Sequence, residues 1–333
     1  MSKSQIPKPI CIAVSRCLLG DEVRYDAQQQ RDHFIADTLG AHFQWAPFCP
    51  EIEIGLGVPR PKIQLEHPVD GTDDDMWLVM PECNRNLTAK MVDHALRSVR
   101  RLKKKGVVGC LLKSRSPSCG PSRVKTFTAD GQMYRTGVGF LAKAIMKMWP
   151  ELPVEEDDHM HDPSVRDNWI ERVFAYRRLQ EFFSGGCSTA ELAEFHAAQR
   201  LVLLSHSRQA YDELGQVLHE FEETPDSRVS AQVAQQYCRQ FMATLRRPAT
   251  RAKHAAVLRR ILSLLKPGLD ADTRRQLAAK IDDYRQAEDG AGVPLVVPRA
   301  LLAHFADVLD VAELRKQVYL YPDPLELALR NHA

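Results

Sequence analysis

Over its first 150 residues this 333-residue chain alternates short apolar runs with helical patterns, and no other feature restricts the fold as strongly. "ICIAVS" (10–15) leads through a turn to the amphipathic "DHFIADTLGA" (32–41). Next come "FQWAPFC", "MWLVM", the long helical pattern "LTAKMVDHALRSVRRLKKKG", "VVGCLL" and "GFLAKAIMKMW". Strands separated by helical crossovers pair in parallel, because the connection must return to the end where the previous strand began. From Trp169 onward the text is helical: Trp169, Ile170, Val173 and Phe174 share one face, and Ser188 with Glu191 forms a capping box before a long amphipathic stretch. The expected architecture is an α/β domain at 1–150, with a mostly parallel sheet and flanking helices, followed by an all-α domain at 168–333.

Length agrees with two cores, since single hydrophobic cores seldom extend past about 250–300 residues. The seam is expected at 151–167, "ELPVEEDDHMHDPSVRD", which carries seven acids against one arginine and reads as an acidic linker. Net charge is +2 overall, but residues 1–150 hold 22 Lys+Arg against 15 Asp+Glu. No apolar run approaches the roughly 18 residues that cross a bilayer, and "MSKSQIPKPI" has no leader-like apolar core, so a cytoplasmic protein without membrane contact is expected.

In that compartment eight cysteines are expected to be packed apolar groups or metal ligands, not disulfides. Three occupy equivalent places: Cys17 follows "ICIAVSR", Cys49 ends "FQWAPF" and Cys119 comes shortly after "VVGCLL". Each lies at or just past the C-terminal end of an expected strand, where open parallel sheets bind ligands. The chain has neither the CxxC pairs of zinc sites nor a CxxxCxxC motif. Three dispersed thiolates suit a cubane iron-sulfur cluster whose fourth iron has no protein ligand, against the plainer reading of packed cysteines. Glycines 20, 55, 57 and 120 allow close backbone approach, and Ser15, Ser114, Ser116 and Ser118 offer donors. Glu51, two residues past Cys49, is a candidate general acid/base, or else a capping or solvated glutamate. Cys11, Cys83, Cys110, Cys187 and Cys238 read as structural.

"SRCLLGDEVRYD", "FCPEIEIGLGVPRP" and "LLKSRSPSCG" resemble the three motifs of the thiouracil desulfurase (TudS-like) family, in the family's order, over roughly residues 9–145. The second half, with "EFHAAQRLVLLSHSRQAYDELG" and "KHAAVLRRILSLLK", resembles the YbgA-like helical domain often fused to it. The resemblance implies that Cys17, Cys49 and Cys119 hold a 4Fe-4S cluster, that Glu51 is catalytic, and that a family serine falls on Ser116, with Ser114 as second choice. Ala27, where family members commonly have glycine, departs from the pattern.

The combined resemblance implies desulfuration of 4-thiouridine in tRNA, with sulfide released and no external electron donor. Dense positive charge supports a polynucleotide partner: Arg97, Arg100, Arg101, Lys103, Lys104 and Lys105 fall within ten residues, and Arg246, Arg247, Arg251 and Lys253 repeat the theme. The residues expected to meet RNA are Arg101, Lys103, Lys104, Lys105, Arg200, Arg208 and Lys253. Helix-terminal charge is the plainer reading of such a run, and Tyr211 and His206 fit helix packing as well as RNA contact. Two alternatives stand beside this one: desulfuration of a free thiopyrimidine, and a non-catalytic iron-sulfur sensor that binds RNA.

Overall fold

The computed structural model describes residues 9–68, 75–219, 228–286 and 293–331. They divide into two compact units that meet in sequence at Trp169 and Ile170.

In the first unit, β1 (Ile10–Ser15), β2 (Phe43–Phe48), β6 (Gly109–Leu112) and β9 (Val154–Glu156) form one sheet in the order β2-β1-β6-β9, with every neighbouring pair parallel. A strand covered on both faces must be apolar almost throughout, and β6 is buried at all four positions. The chain leaves β1 for β2 on one side, then returns across the sheet to β6 and β9 on the other. Strand order therefore reverses beside β1, opening a crevice above the carboxyl ends of the strands. The return passes through α2 (Thr88–Lys104), whose buried Met91, Ala95, Val99 and Leu102 recur at helical spacing. Helix α3 (Phe140–Met148) packs against α2.

A second sheet holds β3 (Gln64–Glu66), β4 (Trp77–Met80), β5 (Arg85–Asn86), β7 (Val124–Phe127) and β8 (Met133–Gly137), in the order β5-β4-β3-β7-β8. Among the described residues, only β3 and β7 of this sheet pair in parallel. Leu65, Leu78, Met80 and Val124 pack there with Ile54, Leu56, Leu87 and Met91. "MWLVM" thus belongs to this mostly antiparallel sheet, not to the parallel one expected for it. A short apolar run declares a buried strand but not which strand it will pair with. "DHFIADTLGA" likewise forms a π-helical turn, Phe34–Thr38, and a 3-10 turn, Leu39–Ala41, in place of a full amphipathic helix.

The acidic segment 151–167 carries structure of its own. Its Val154–Glu156 extends the parallel sheet, and Asp157–His161 forms a 3-10 turn. Buried Glu156 meets Arg123, and Asp157 Oδ2 lies 2.5 Å from Lys113 Nζ, so cations distant in sequence neutralise a run that reads as excess charge. Helix α4 (Pro163–Phe183) then carries the chain past Trp169 without a break.

The second unit is helical: the rest of α4, then α5 (Thr189–His206), α6 (Arg208–His219), α7 (Ala231–Leu245), α8 (Arg251–Leu265), α9 (Ala271–Gln286), α10 (Val296–Val308), the short α11 (Ala312–Arg315) and α12 (Pro324–Asn331). The Ser188–Glu191 capping box forms as the sequence predicts, and Ser230 and Thr250 cap α7 and α8. Among its buried side chains are Tyr237, Phe241, Leu258 and Ile261. Buried Glu171 lies between His206 Nε2 (3.2 Å) and Arg330 Nη1 (3.2 Å); burial acts to raise its pKa, but these two neighbours hold it well below the usual carboxylate range.

Desolvation lowers the His254 pKa to about 3 and the His196 pKa to about 4, while their Nδ1 atoms sit 3.0 and 3.1 Å from the hydroxyls of Tyr319 and Tyr237. Between those values and the ordinary 6.5 the unfolded chain binds protons that the folded one refuses, so stability is full above that range and falls as pH drops through it. Unfolding of the helical unit, followed by circular dichroism in urea, is expected to cost less at pH 5 than at pH 7.5, with a slope of up to about 1.4 kcal/mol per pH unit for each histidine. Replacing His254 by Gln is expected to flatten that slope.

Candidate functional site

The parallel sheet delivers three loops to its C-terminal edge. After β1 the chain enters a 3-10 turn, Arg16–Leu19, closed by Gly20 at φ 103°, and Cys17 lies in it, buried. After β2, Cys49 precedes the turn α1 (Pro50–Glu53), with Pro50 at its first position, where the missing N–H is of no consequence. The Cys49 N–H donates to Glu53 Oε1 at 3.1 Å, and the Ile52 and Glu51 amides act to lower the pKa of the Cys49 thiol against its burial. After β6, Lys113–Gly120 folds into a tight loop with Arg115 at φ 60° and buried Cys119 near its end.

All three cysteines line one cavity of about 460 Å³, together with Glu51, Ser114 and Ser116. The thiols are close enough to act on one another. Desolvation first, then the charge of Cys49, pushes Cys17 up to about 12. Cys119 is raised well above its ordinary value by burial and by both other thiols, and Cys49 is raised mainly by burial. Three thiolates in this space require a cationic core among them, which suits the donor set to a soft metal centre. Among the described residues, no three His, Cys, Asp or Glu side chains close up as the ligands of a single ion would. Ligands of a single ion all lie within about 2.3 Å of one centre, whereas cluster ligands bind separate irons and stand further apart.

Glu51 is the carboxylate most firmly held in the cavity. Arg60 Nε and Nη2 both donate to its Oε2, at 3.0 and 2.5 Å, and Ser118 Oγ donates to its Oε1 at 2.9 Å. The Arg60 side chain is only 5% exposed and that of Glu51 14%. Beside Cys119, the Ser15 hydroxyl accepts the Lys113 N–H at 3.0 Å and donates toward the Cys119 sulfur.

The two serines singled out from sequence shape the third loop. Ser116 Oγ accepts the Ser118 and Cys119 amides at 3.3 and 3.2 Å. The Ser114 amide donates to Asp157 Oδ1 at 2.7 Å, and its hydroxyl accepts from Lys113 Nζ at 2.9 Å. The hydroxyl on Glu51 belongs to Ser118. Sequence reasoning missed Arg60, though it lies inside the quoted second motif, and missed Asp157, hidden in the acidic run.

Of the residues expected to meet RNA, those in the first unit do not line this cavity. Helix α2 ends where β6 begins, so Lys103, Lys104 and Lys105 lie at the opposite edge of the sheet. Arg101 pairs with Glu53, and Lys103 Nζ donates to the Met148 carbonyl over the Trp149 ring. In the helical unit Arg200 pairs with Glu313, Arg208 is exposed beside Asp212, and Lys253 Nζ donates to the His206 carbonyl. Tyr211 stacks on His196 at 4.7 Å.

Residues 12–157 match the model of the 2-thiouracil desulfurase family, and residues 200–324 match a family described as a protein of unknown function, DUF1722. The uncharacterized protein YbgA of Escherichia coli strain K12 is 29% identical over 168 residues, covering 50% of this chain and 94% of YbgA. A solved structure of the [4Fe-4S]-dependent thiouracil desulfidase TudS is 29% identical over 46% of this chain and 94% of that one, with a TM-score of 0.36.

The backbone around Cys119 leaves no room for a methyl group at Gly139. A Cβ there would come within 2.7 Å of Cys119 N and of Ser118 C, and within 2.8 Å of Gly120 N. Gly139→Ala is therefore expected to destabilise the first unit by about 1–3 kcal/mol, as overpacking does. The drop should appear as an earlier urea midpoint in tryptophan fluorescence; an unchanged midpoint would show that the Cys119 loop yields.

Proposed function

We propose that this protein is an iron-sulfur-dependent desulfidase that converts 4-thiouridine in tRNA to uridine, a reading supported by the match of residues 12–157 to the 2-thiouracil desulfurase family model and of residues 200–324 to DUF1722, with the likeness to YbgA. The observation that carries the reading is the meeting of Cys17, Cys49 and Cys119, from three separate strand ends, in one cavity with a firmly held carboxylate. Cys17, Cys49 and Cys119 would hold a 4Fe-4S cluster. Such a cluster with three thiolate ligands supplies one iron free of protein ligands, a sulfur-seeking Lewis acid for a thiocarbonyl group.

The overall reaction is hydrolytic: water oxygen replaces sulfur at the pyrimidine carbon, sulfur leaves as hydrosulfide, and no net electrons move. Glu51 takes the proton from the attacking water at Oε1, the oxygen that Arg60 leaves free. The Ser118 hydroxyl keeps that oxygen oriented. Ser116 fixes the amides of Ser118 and Cys119, and so the direction of both side chains.

The helical unit is the proposed tRNA-binding part. Arg246 and Arg247, at the end of α7, extend the basic theme there. Desulfuration of a free thiopyrimidine is the second reading, favoured by the cavity's size, which suits a single base.

Two experiments test this. After anaerobic reconstitution, Ala at Cys17, Cys49 or Cys119 is expected to lower bound iron sharply, whereas Glu51→Gln should keep the iron and lose at least about 100-fold in sulfide release. Full activity of Glu51→Gln would refute its role. Second, sulfide release should be compared on thiolated tRNA, 4-thiouridine and thiouracil at rising salt. Preference for tRNA that weakens about 10-fold or more between 50 and 200 mM salt supports phosphate contacts; equal rates on all three, indifferent to salt, would favour the free base.

A further inference from the structure

The carboxylate in the cavity does not orient itself. A glutamate has three rotatable bonds, and Glu51 sits on a turn of only four residues, so its direction must come from its partners. Arg60 supplies most of it. Besides donating twice to Glu51 Oε2, it donates through Nη1 to the Gly57 carbonyl at 2.9 Å and through Nη2 to the Val23 carbonyl at 2.9 Å. Val23 follows the Cys17 turn, and Gly57 follows the Cys49 turn. One buried guanidinium thus ties two of the three cysteine-bearing loops to the same carboxylate oxygen.

The two oxygens are left unequal. A carboxylate offers about four acceptor sites. Arg60 takes two on Oε2 and Ser118 takes one on Oε1, so the remaining accepting position is on Oε1. We propose that Arg60 is the positioning residue of this site, locking Oε2 so that Oε1, steadied by Ser118, is the oxygen presented to the reacting water. This rests on the desulfidase reading of the same cavity. Lysine preserves the charge but not the function, because an ammonium group cannot reach Glu51 and two backbone carbonyls in the fixed planar fork that Arg60 uses.

The test is a double-mutant cycle on the reconstituted, full-length protein, with 4-thiouridine as substrate and bound iron measured for each variant. Arg60→Lys is expected to keep the iron content within about twofold and the KM within about threefold, while kcat falls about 30-fold or more, the signature of misplaced catalytic geometry. In the Glu51→Gln background, the same substitution should change kcat less than about threefold, since Arg60 acts through Glu51. A second readout needs no activity: in the metal-free protein, the shifts in unfolding midpoint of Arg60→Lys and Glu51→Gln should be non-additive, as for two groups in contact. Equal losses of kcat in both backgrounds, or a rise in KM alone, would overturn the positioning role. So would additive midpoint shifts. If the unaltered protein releases no sulfide from any thiopyrimidine, the desulfidase reading itself falls, and the inference falls with it. If it does release sulfide while the cycle is additive, only the role of Arg60 is lost.

Discussion

The parallel pairing of β1 with β2 on one side and β6 on the other is the constraint on which the site depends. Register sets Ser15 beside Phe48 and Val14 beside Leu111, so three consecutive strand ends finish at one level. Each strand is followed by a tight turn carrying a cysteine, and the reversal of strand order beside β1 leaves a cavity that those turns line. Residues more than a hundred positions apart therefore share one cavity without any long loop having to find it.

Polar partners complete what the sheet begins. Lys113 is drawn to Asp157, and Ser114 donates to the same carboxylate, so the loop after β6 is anchored to the turn after β9. Arg60 does the same between the loops after β1 and β2. Burying such groups is favourable only when every one finds a partner. These contacts fix the part of the cavity wall around Glu51 and the third loop, and they leave one accepting position of Glu51 Oε1 facing the cavity.

Charge along the chain changes its meaning once it is folded. The acidic stretch 151–167 looks like a solvated spacer, yet Glu156 and Asp157 are buried against Arg123 and Lys113. The basic end of α2 reads as a phosphate-binding tract, and two of its cations also have partners within the chain, Arg101 on Glu53 and Lys103 on the Met148 carbonyl. In the helical unit Tyr211, which fits helix packing as well as RNA contact, stacks on His196. A run of like charge records local density alone, and whether its partners are solvent, nucleic acid or distant residues is settled by packing.

The sequence by itself determined the α/β character of the first half, the helical second half, the Ser188 cap and the placement of Cys17, Cys49, Cys119 and Glu51 just past strand ends. These follow from local periodicity and from small residues adjoining apolar runs, both written in short stretches of chain. Only the tertiary structure decided that "MWLVM" pairs in a second sheet, that Ser118 and not Ser116 meets Glu51, and that Arg60 holds that carboxylate. These are choices among partners of equal local propensity, and such choices are made by long-range pairing and by the need of each buried polar group to be satisfied, neither of which any short window contains.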